Sequence, residues 1–142
     1  MIGVPYDLQK EPLPDIGTYT PSAAVLPHTE PLPPNAKQVN MLVAKLAAAE
    51  CPIILAGRGV LRAGAQREVE ELAERSGALL ATTLLVRGLY DHNPFSIGVS
   101  GGFSRQIARE LGIRVDLVIA IGASLTYHTV DGGSMYPNAE IA

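Results

Sequence analysis

The sequence predicts an α/β fold, a parallel β-sheet with helices on both faces, and three observations carry that expectation. Apolar runs at Pro52-Ile53-Ile54-Leu55-Ala56 and Leu117-Val118-Ile119-Ala120-Ile121 are bounded and short. Both run straight into glycine, as Gly57-Arg58-Gly59 and Gly122-Ala123-Ser124. The segments between such runs carry the 3.6-residue period of amphipathic helices. Continuous apolarity over about five residues marks a strand buried on both faces, which means a parallel strand covered by helices. Alternation of such strands with helices selects the parallel α/β class.

Residues 1–34 hold eight of the eleven prolines, Pro5, Pro12, Pro14, Pro21, Pro27, Pro31, Pro33 and Pro34. Proline removes backbone donors and holds its neighbours extended, so this stretch reads as a linker. Ile2-Gly3-Val4-Pro5 reads as the end of a strand belonging to an upstream domain. From Asn35 the pattern changes. Val39, Leu42, Val43, Leu46 and Ala47 form one stripe of a helix that Asn35 caps and that ends before Pro52. Cys51 sits between that helix and the first strand and reads as a small buried hydrophobe. The strand Pro52 to Ala56 follows. A second helix, about Gly64 to Arg75, turns Val69, Leu72 and Ala73 to one face and is closed by Ser76-Gly77. Ala78 to Ala81 reads as the second strand, with Thr82 and Thr83 at its carboxyl end. Val86 to Gly102 is mostly loop, with turn chemistry at Asp91-His92-Asn93-Pro94 and a short third strand near Ser96 to Gly98. A third helix, about Ser104 to Leu111, points Ile107, Ala108 and Leu111 inward. Asp116 leads into the strand Leu117 to Ile121, and Glu140-Ile141-Ala142 looks like the start of a last strand.

The bulk numbers narrow the function. A chain of 142 residues with 47% apolar content is about one domain's worth and can build a core. Its net charge of −3 leaves no basic face for a phosphate backbone, so no nucleic-acid partner is expected. No apolar run approaches the roughly 20 residues that span a bilayer, and Met1 is not followed by a basic region and an apolar signal core. The expectation is a cytoplasmic protein with no membrane partner.

Glycines at the carboxyl ends of parallel strands let a ligand or another backbone come close, which is the feature of Rossmann-like, FAD/NAD-binding-like domains. The dinucleotide fingerprint places glycine at the first, third and sixth positions. Here Gly57 and Gly59 are followed by Arg62 in the sixth place, with Gly64 two residues on. No Asp or Glu lies between Gly77 and Gly88 to hold an adenine ribose, which counts against an ordinary NAD-dependent dehydrogenase. The glycines therefore serve either close helix–strand packing or a phosphate-bearing ligand. His28, His92 and His128 lack partners at metal-ligand spacing. Gly98-Val99-Ser100-Gly101-Gly102 reads as a flexible turn and not as a nucleophile elbow. Ser124, Tyr127, His128 and Asp131 read as a polar loop beyond a strand end. Arg58 and Arg87, on loops at the same edge, could meet an anion.

With these residues in place, the chain resembles the central domain of thiamine-diphosphate-dependent enzymes, the family of acetolactate synthase, pyruvate oxidase and benzoylformate decarboxylase. Pro52 to Val60 is similar to that domain's first strand and turn, and Ala81-Thr82-Thr83 through Gly88 to its second strand end. Asp91 to Gly102 contains His-x-Pro-x-x-x-Gly-x-x-Gly, and Asp116 to Ala123 reads Asp-Leu-Val-x-x-x-Gly-Ala. Val4-Pro5-Tyr6-Asp7-Leu8-Gln9 is similar to the closing strand of the preceding domain, so the resemblance covers nearly the whole chain.

The resemblance implies an organisation in which residues 1–34 are the end of an upstream pyrimidine-binding domain plus a linker. Residues 35–142 are then a central Rossmann-like domain cut short at its C-terminus. Thiamine pyrophosphate and Mg²⁺ belong to the parent enzyme. The activating glutamate lies in the upstream domain and the Gly-Asp-Gly…Asn motif in the downstream pyrophosphate-binding domain. The implied role here is a non-catalytic scaffold, with no catalytic and no metal residues. The implied parent is a homodimeric or homotetrameric 2-oxo acid decarboxylase or acetolactate synthase-like enzyme. Some relatives hold FAD or ADP along the carboxyl edge of this domain. By resemblance that edge is Gly57, Arg58, Gly59, Thr83, Leu84, Gly98, Gly101, Gly122 and Ala123. Flavin-binding members tend to have Gly-Ala-Arg where this chain has Gly122-Ala123-Ser124, a departure that removes a ligand-facing charge. The alternative is a domain that itself binds FAD, ADP or another dinucleotide in a redox or structural role.

Overall fold

A computed structural model describes residues 3–12, 15, 17–26 and 32–142. The chain divides into two compact units, Met1–Pro33 and Pro34–Ala142. In the first unit, a 3-10 turn covers Leu8–Lys10 and a short helix α1 covers Ser22–Val25. These turns depart from the extended linker expected from the prolines. Helix α1 falls in a proline-free interval after Pro21, which the missing N–H of proline permits at a helix start. Gly3, Val4 and Pro5 belong to no strand. Ile2 and His28 lie outside the described residues.

The second unit is an α/β Rossmann-like domain. Its five strands are β1 (Pro52–Ala56), β2 (Leu79–Thr82), β3 (Ser96–Val99), β4 (Leu117–Ile121) and β5 (Glu140–Ile141). They pair in the order β3-β2-β1-β4-β5, every pair parallel. All five residues of β1 are buried, as expected of a central strand covered on both faces. Alternate residues feed two cores. Ile54, Ala56, Leu80 and Ile119 pack with Leu46 of α2 (Ala36–Ala48), Val60 of α3 (Arg58–Ala63) and Val69 and Ala73 of α4 (Gln66–Ser76). Ile53, Leu55, Ala81 and Val118 pack on the other face with Ala108 of α5 (Gln106–Gly112), Val115, Met135 and Tyr136.

Local chemistry explains most boundaries. Asn35 Oδ1 accepts from the Lys37 and Gln38 amides at 2.9 and 3.4 Å and caps α2. Asp116, at the foot of β4, accepts from the Glu50 and Cys51 amides at 2.6 and 3.0 Å, which ties the entry of β1 to that of β4. Cys51 is half-buried against the second core. Lys45 of α2 pairs with Glu140 of β5.

Several expectations are corrected. The helix expected over 64–75 is α4, and a further short helix, α3, precedes it, ended by Gly64 in a left-handed conformation (φ +66°). Arg58 is thus the first residue of a helix and not part of a loop. Ile107 is 54% exposed; Ala108 and Leu111 pack on the second core as expected, and Gly112 lies against the Met135 backbone, where a Cβ would overlap the Met135 carbonyl. The small Ala108 and Gly112 bring this helix close, and Ile107 is left pointing away. Val39 and Val43 are exposed as well, and α2 is seated by Leu46 with Leu42 beside it. The second strand starts one residue later than expected, at Leu79, and the third extends to Val99. A register shift between Leu80 and Ala81 gives β3 an extra residue, and Gly98 (φ +82°) absorbs it.

Candidate functional site

The strand order reverses at β1, since the chain goes from β1 to β2 and β3 on one side and returns to β4 on the other. Crevices open at such switch points, outside the carboxyl ends of the strands. Here the two turns that leave β1 and β4 lock together. The Gly57 N–H donates to the Ile121 carbonyl at 2.9 Å and the Gly59 N–H to the Gly122 carbonyl at 2.8 Å. A Cβ on Gly59 would stand 2.6 Å from the Gly122 Cα, and one on Gly57 would overlap the Gly122 carbonyl oxygen. The glycine turns are therefore required by backbone approaching backbone. The ladder continues past β2, with the Thr83 N–H donating to the Ala56 carbonyl and the Ser100 N–H to the Thr82 carbonyl, both at 2.9 Å.

Above these turns lies a cleft of about 500 Å³, within the range of small-molecule sites. Its floor and one side are Gly59, Gly122, Thr83, Leu84 and Leu85. Arg58 and Arg62 enter from α3. Ser100 and Phe103 come from the segment after β3, and Ser124, Thr126, His128 and Thr129 from the segment after β4. No carboxylate lines the cleft, and neither arginine is ion-paired among the described residues. The chemistry is cationic and hydroxyl-rich beside an apolar patch, a set that favours an anion carrying an apolar or aromatic part.

The wall after β4 is held from behind. Tyr136 Oη donates to Ser100 Oγ at 2.9 Å, and Ser100 Oγ donates to the Thr129 carbonyl at 2.8 Å. Burial pushes the Tyr136 hydroxyl up from its ordinary value, against the opposing bond to Ser100. The Gly102 N–H donates to the His128 carbonyl at 2.9 Å, and a Cβ on Gly101 would overlap that same oxygen. Ser100 is 2% exposed, so the Gly98 to Gly102 turn, read from sequence as flexible, is packed. Arg109 Nη1 donates to Asp131 at 2.7 Å; this bond, then Ser134, holds the Asp131 carboxyl below its usual range.

Of the residues singled out in the sequence, Arg58, Gly59, Thr83, Leu84 and Gly122 meet at the cleft. Gly57 lies beneath it, Ala123 packs on the second core, Gly98 forms the β3 bulge and Gly101 supports the wall. In the polar loop, Ser124 and His128 line the cleft, Tyr127 stacks edge-on against His128, and Asp131 faces Arg109. No triad forms. Arg87 does not line the cleft, and the second guanidinium there is Arg62, which the sequence shows only as the residue in the fingerprint's sixth place. Its signal was the four-residue spacing from Arg58, legible only once the helix starts at Arg58. The donor set does not suit Mg²⁺. Among the described residues no group of three or more His, Cys, Asp or Glu could hold a metal ion. Nor, among them, is any helix long and apolar enough to cross a membrane.

Residues 39–142 match the family described as thiamine pyrophosphate enzyme, central domain. The chain is similar to an acetolactate synthase of Mycobacterium bovis, 34% identical over 82% of this chain and 19% of the relative. It is also similar to the acetolactate synthase large subunit of Corynebacterium glutamicum, 29% identical over 99% of this chain and 22% of the relative. A probable acetolactate synthase large subunit of Methanococcus aeolicus is 32% identical over 95% of this chain and 22% of the relative. The chain thus spans about a fifth of the length of these relatives. Its sheet, its glycine turns and this match agree, and the chain belongs to the family of central domains of thiamine pyrophosphate enzymes.

Proposed function

We propose that this chain is the non-catalytic central scaffold of an acetolactate synthase-like enzyme that makes or breaks carbon–carbon bonds next to a carbonyl, acting on 2-oxo acids. Residues 1–34 are the end of a pyrimidine-binding domain and a linker, and residues 35–142 the scaffold. Thiamine pyrophosphate supplies the electron sink for that chemistry, and it is held with Mg²⁺ by the flanking domains. The parent is a homodimer or homotetramer in the cytoplasm. The observation that carries the reading is that similarity to an acetolactate synthase large subunit extends over 99% of the chain, the proline-rich stretch included. What this chain contributes is a rigid sheet whose turns are locked by Gly57, Gly59 and Gly122. The test is the parent reading frame, purified and assayed for carbon dioxide release and acetolactate formation from pyruvate with thiamine pyrophosphate and Mg²⁺. An inactive parent that also fails to bind thiamine pyrophosphate contradicts the proposal.

A second reading is favoured by one feature, the pair Arg58 and Arg62 on a cleft without carboxylates. In it the cleft holds the pyrophosphate of FAD or ADP, the two guanidiniums taking the place of the arginine that Ser124 replaces. Thermal-shift titration of the chain decides it, because a ligand at 100 times its dissociation constant stabilises by about 2.7 kcal/mol. A shift with ADP and FAD that is lost in Arg58→Gln/Arg62→Gln supports this reading. No shift at millimolar ADP and FAD removes it and leaves the scaffold.

A further inference from the structure

From Ser124 to Ser134 no residue is buried and none belongs to either core, although the run lies between Ala123, which packs on the sheet, and the buried Met135. What fixes the run to the body is polar; besides the Met135 N–H, which donates to the Val130 carbonyl at the run's far end, the ties among the described residues come from Ser100 to Arg109. Ser100 Oγ donates to the Thr129 carbonyl, the Gly102 N–H to the His128 carbonyl, and Arg109 to the Asp131 carboxylate. Within itself the run is well knit. The Thr126 carbonyl accepts from the Thr129 and Val130 amides, Ser134 bonds Asp131, and the Tyr127 ring lies where a side chain on Gly132 would be. Its far end is marked by three successive left-handed residues, Asp131, Gly132 and Gly133, with φ of 51°, 64° and 98°. For Asp131 that conformation is costly, and the Arg109 ion pair helps to hold it.

Buried apolar contact is what keeps an element from opening locally, and a run without any opens at low free energy and as a unit. Four residues of this run, Ser124, Thr126, His128 and Thr129, line the cleft. Beneath them Thr83 on the cleft floor is 7% exposed. We propose that Ser124 to Ser134 is a strap that opens and closes over the cleft, with Arg109 as its latch. Arg109 does not line the cleft, so it governs access without touching what enters, whichever reading of the cleft holds. The ion pair suits a latch because both side chains are partly exposed, 44% for Arg109 and 28% for Asp131, and part at little cost.

Two readouts on the chain test this. The Gly102 amide belongs to the body but is covered only when the strap is closed. In Arg109→Gln its hydrogen exchange should quicken about fivefold, the size expected of a half-exposed ion pair, while the sheet amides of Leu80 and Thr83 keep their rates. In a Cys51→Ser background, maleimide labelling of Thr83→Cys should quicken by the same factor on adding Arg109→Gln. Asp131→Asn should reproduce both effects, and Arg105→Gln, at the N-cap of the same helix, neither. Equal quickening of the sheet amides, which would signal global destabilisation, overturns the strap. So does a labelling rate that does not follow the Gly102 amide.

Discussion

Substituting alanine for Gly59 puts a methyl carbon 2.6 Å from the Gly122 Cα and 3.0 Å from its carbonyl oxygen, both backbone atoms. Carbon–carbon contact is comfortable only near 3.5 Å, so the turns after β1 and β4 must part by roughly 1 Å. Parting stretches the Gly59 N–H to Gly122 bond from 2.8 Å toward its limit. That bond contributes about 0.5–1.5 kcal/mol, and overpacking a close-packed site costs about 1–3 kcal/mol. Alanine returns up to ~1 kcal/mol of helix propensity, and less at the second residue of α3. The net expectation is a loss of about 1–3 kcal/mol. For a domain of this size each kcal/mol is worth roughly 4 °C or more in Tm, which calorimetry or circular dichroism resolves easily. Gly64→Ala is the control: it meets no atom within 4 Å but has φ +66°, so it costs only the left-handed penalty, about 1–2 kcal/mol. An unchanged or raised Tm for Gly59→Ala refutes the locked turns and with them the preformed cleft.

Other expectations follow from single contacts. Ser100→Ala strands the Tyr136 hydroxyl and the Thr129 carbonyl and should destabilise by about 1–3 kcal/mol in urea unfolding, whereas Tyr136→Phe should cost only about 0.5–1.5 kcal/mol. Asn35→Ala removes the cap of α2 and should cost about 0.5–2 kcal/mol by the same assay. The Glu50 amide bond, with that of Cys51, holds the Asp116 carboxyl below its ordinary value. A depressed folded value means that stability is present above the unfolded pKa near 3.9 and is lost as pH falls through the folded value. Asp116→Asn should therefore flatten the acid limb of the stability–pH curve.

The strands were legible because fully buried parallel strands announce themselves. Pro52 to Ala56 and Leu117 to Ile121 are uninterrupted apolar runs stopped by glycine, and their bounds agree with the sequence reading. The helices were less so. Periodicity reports which residues are apolar but not how closely a helix sits: at α5 Ala108 and Leu111 pack on the core and Gly112 meets the Met135 backbone, while Ile107 is left exposed. Helix α3 was invisible because its start is set by a backbone lock with Gly122, some 60 residues away in sequence. The same oversight hid Arg62. The wall of the cleft was beyond reach for a related reason: Ser100, Arg109, Thr129 and Tyr136 have no local pattern and meet only through the fold.

The most direct test of the scaffold proposal is calorimetric titration of thiamine pyrophosphate with Mg²⁺ into the chain of residues 1–142 and, in parallel, into the parent enzyme. The account predicts stoichiometric binding by the parent and no saturable heat from the chain, whose cleft offers no carboxylate for Mg²⁺. Stoichiometric binding by residues 1–142 alone would contradict it.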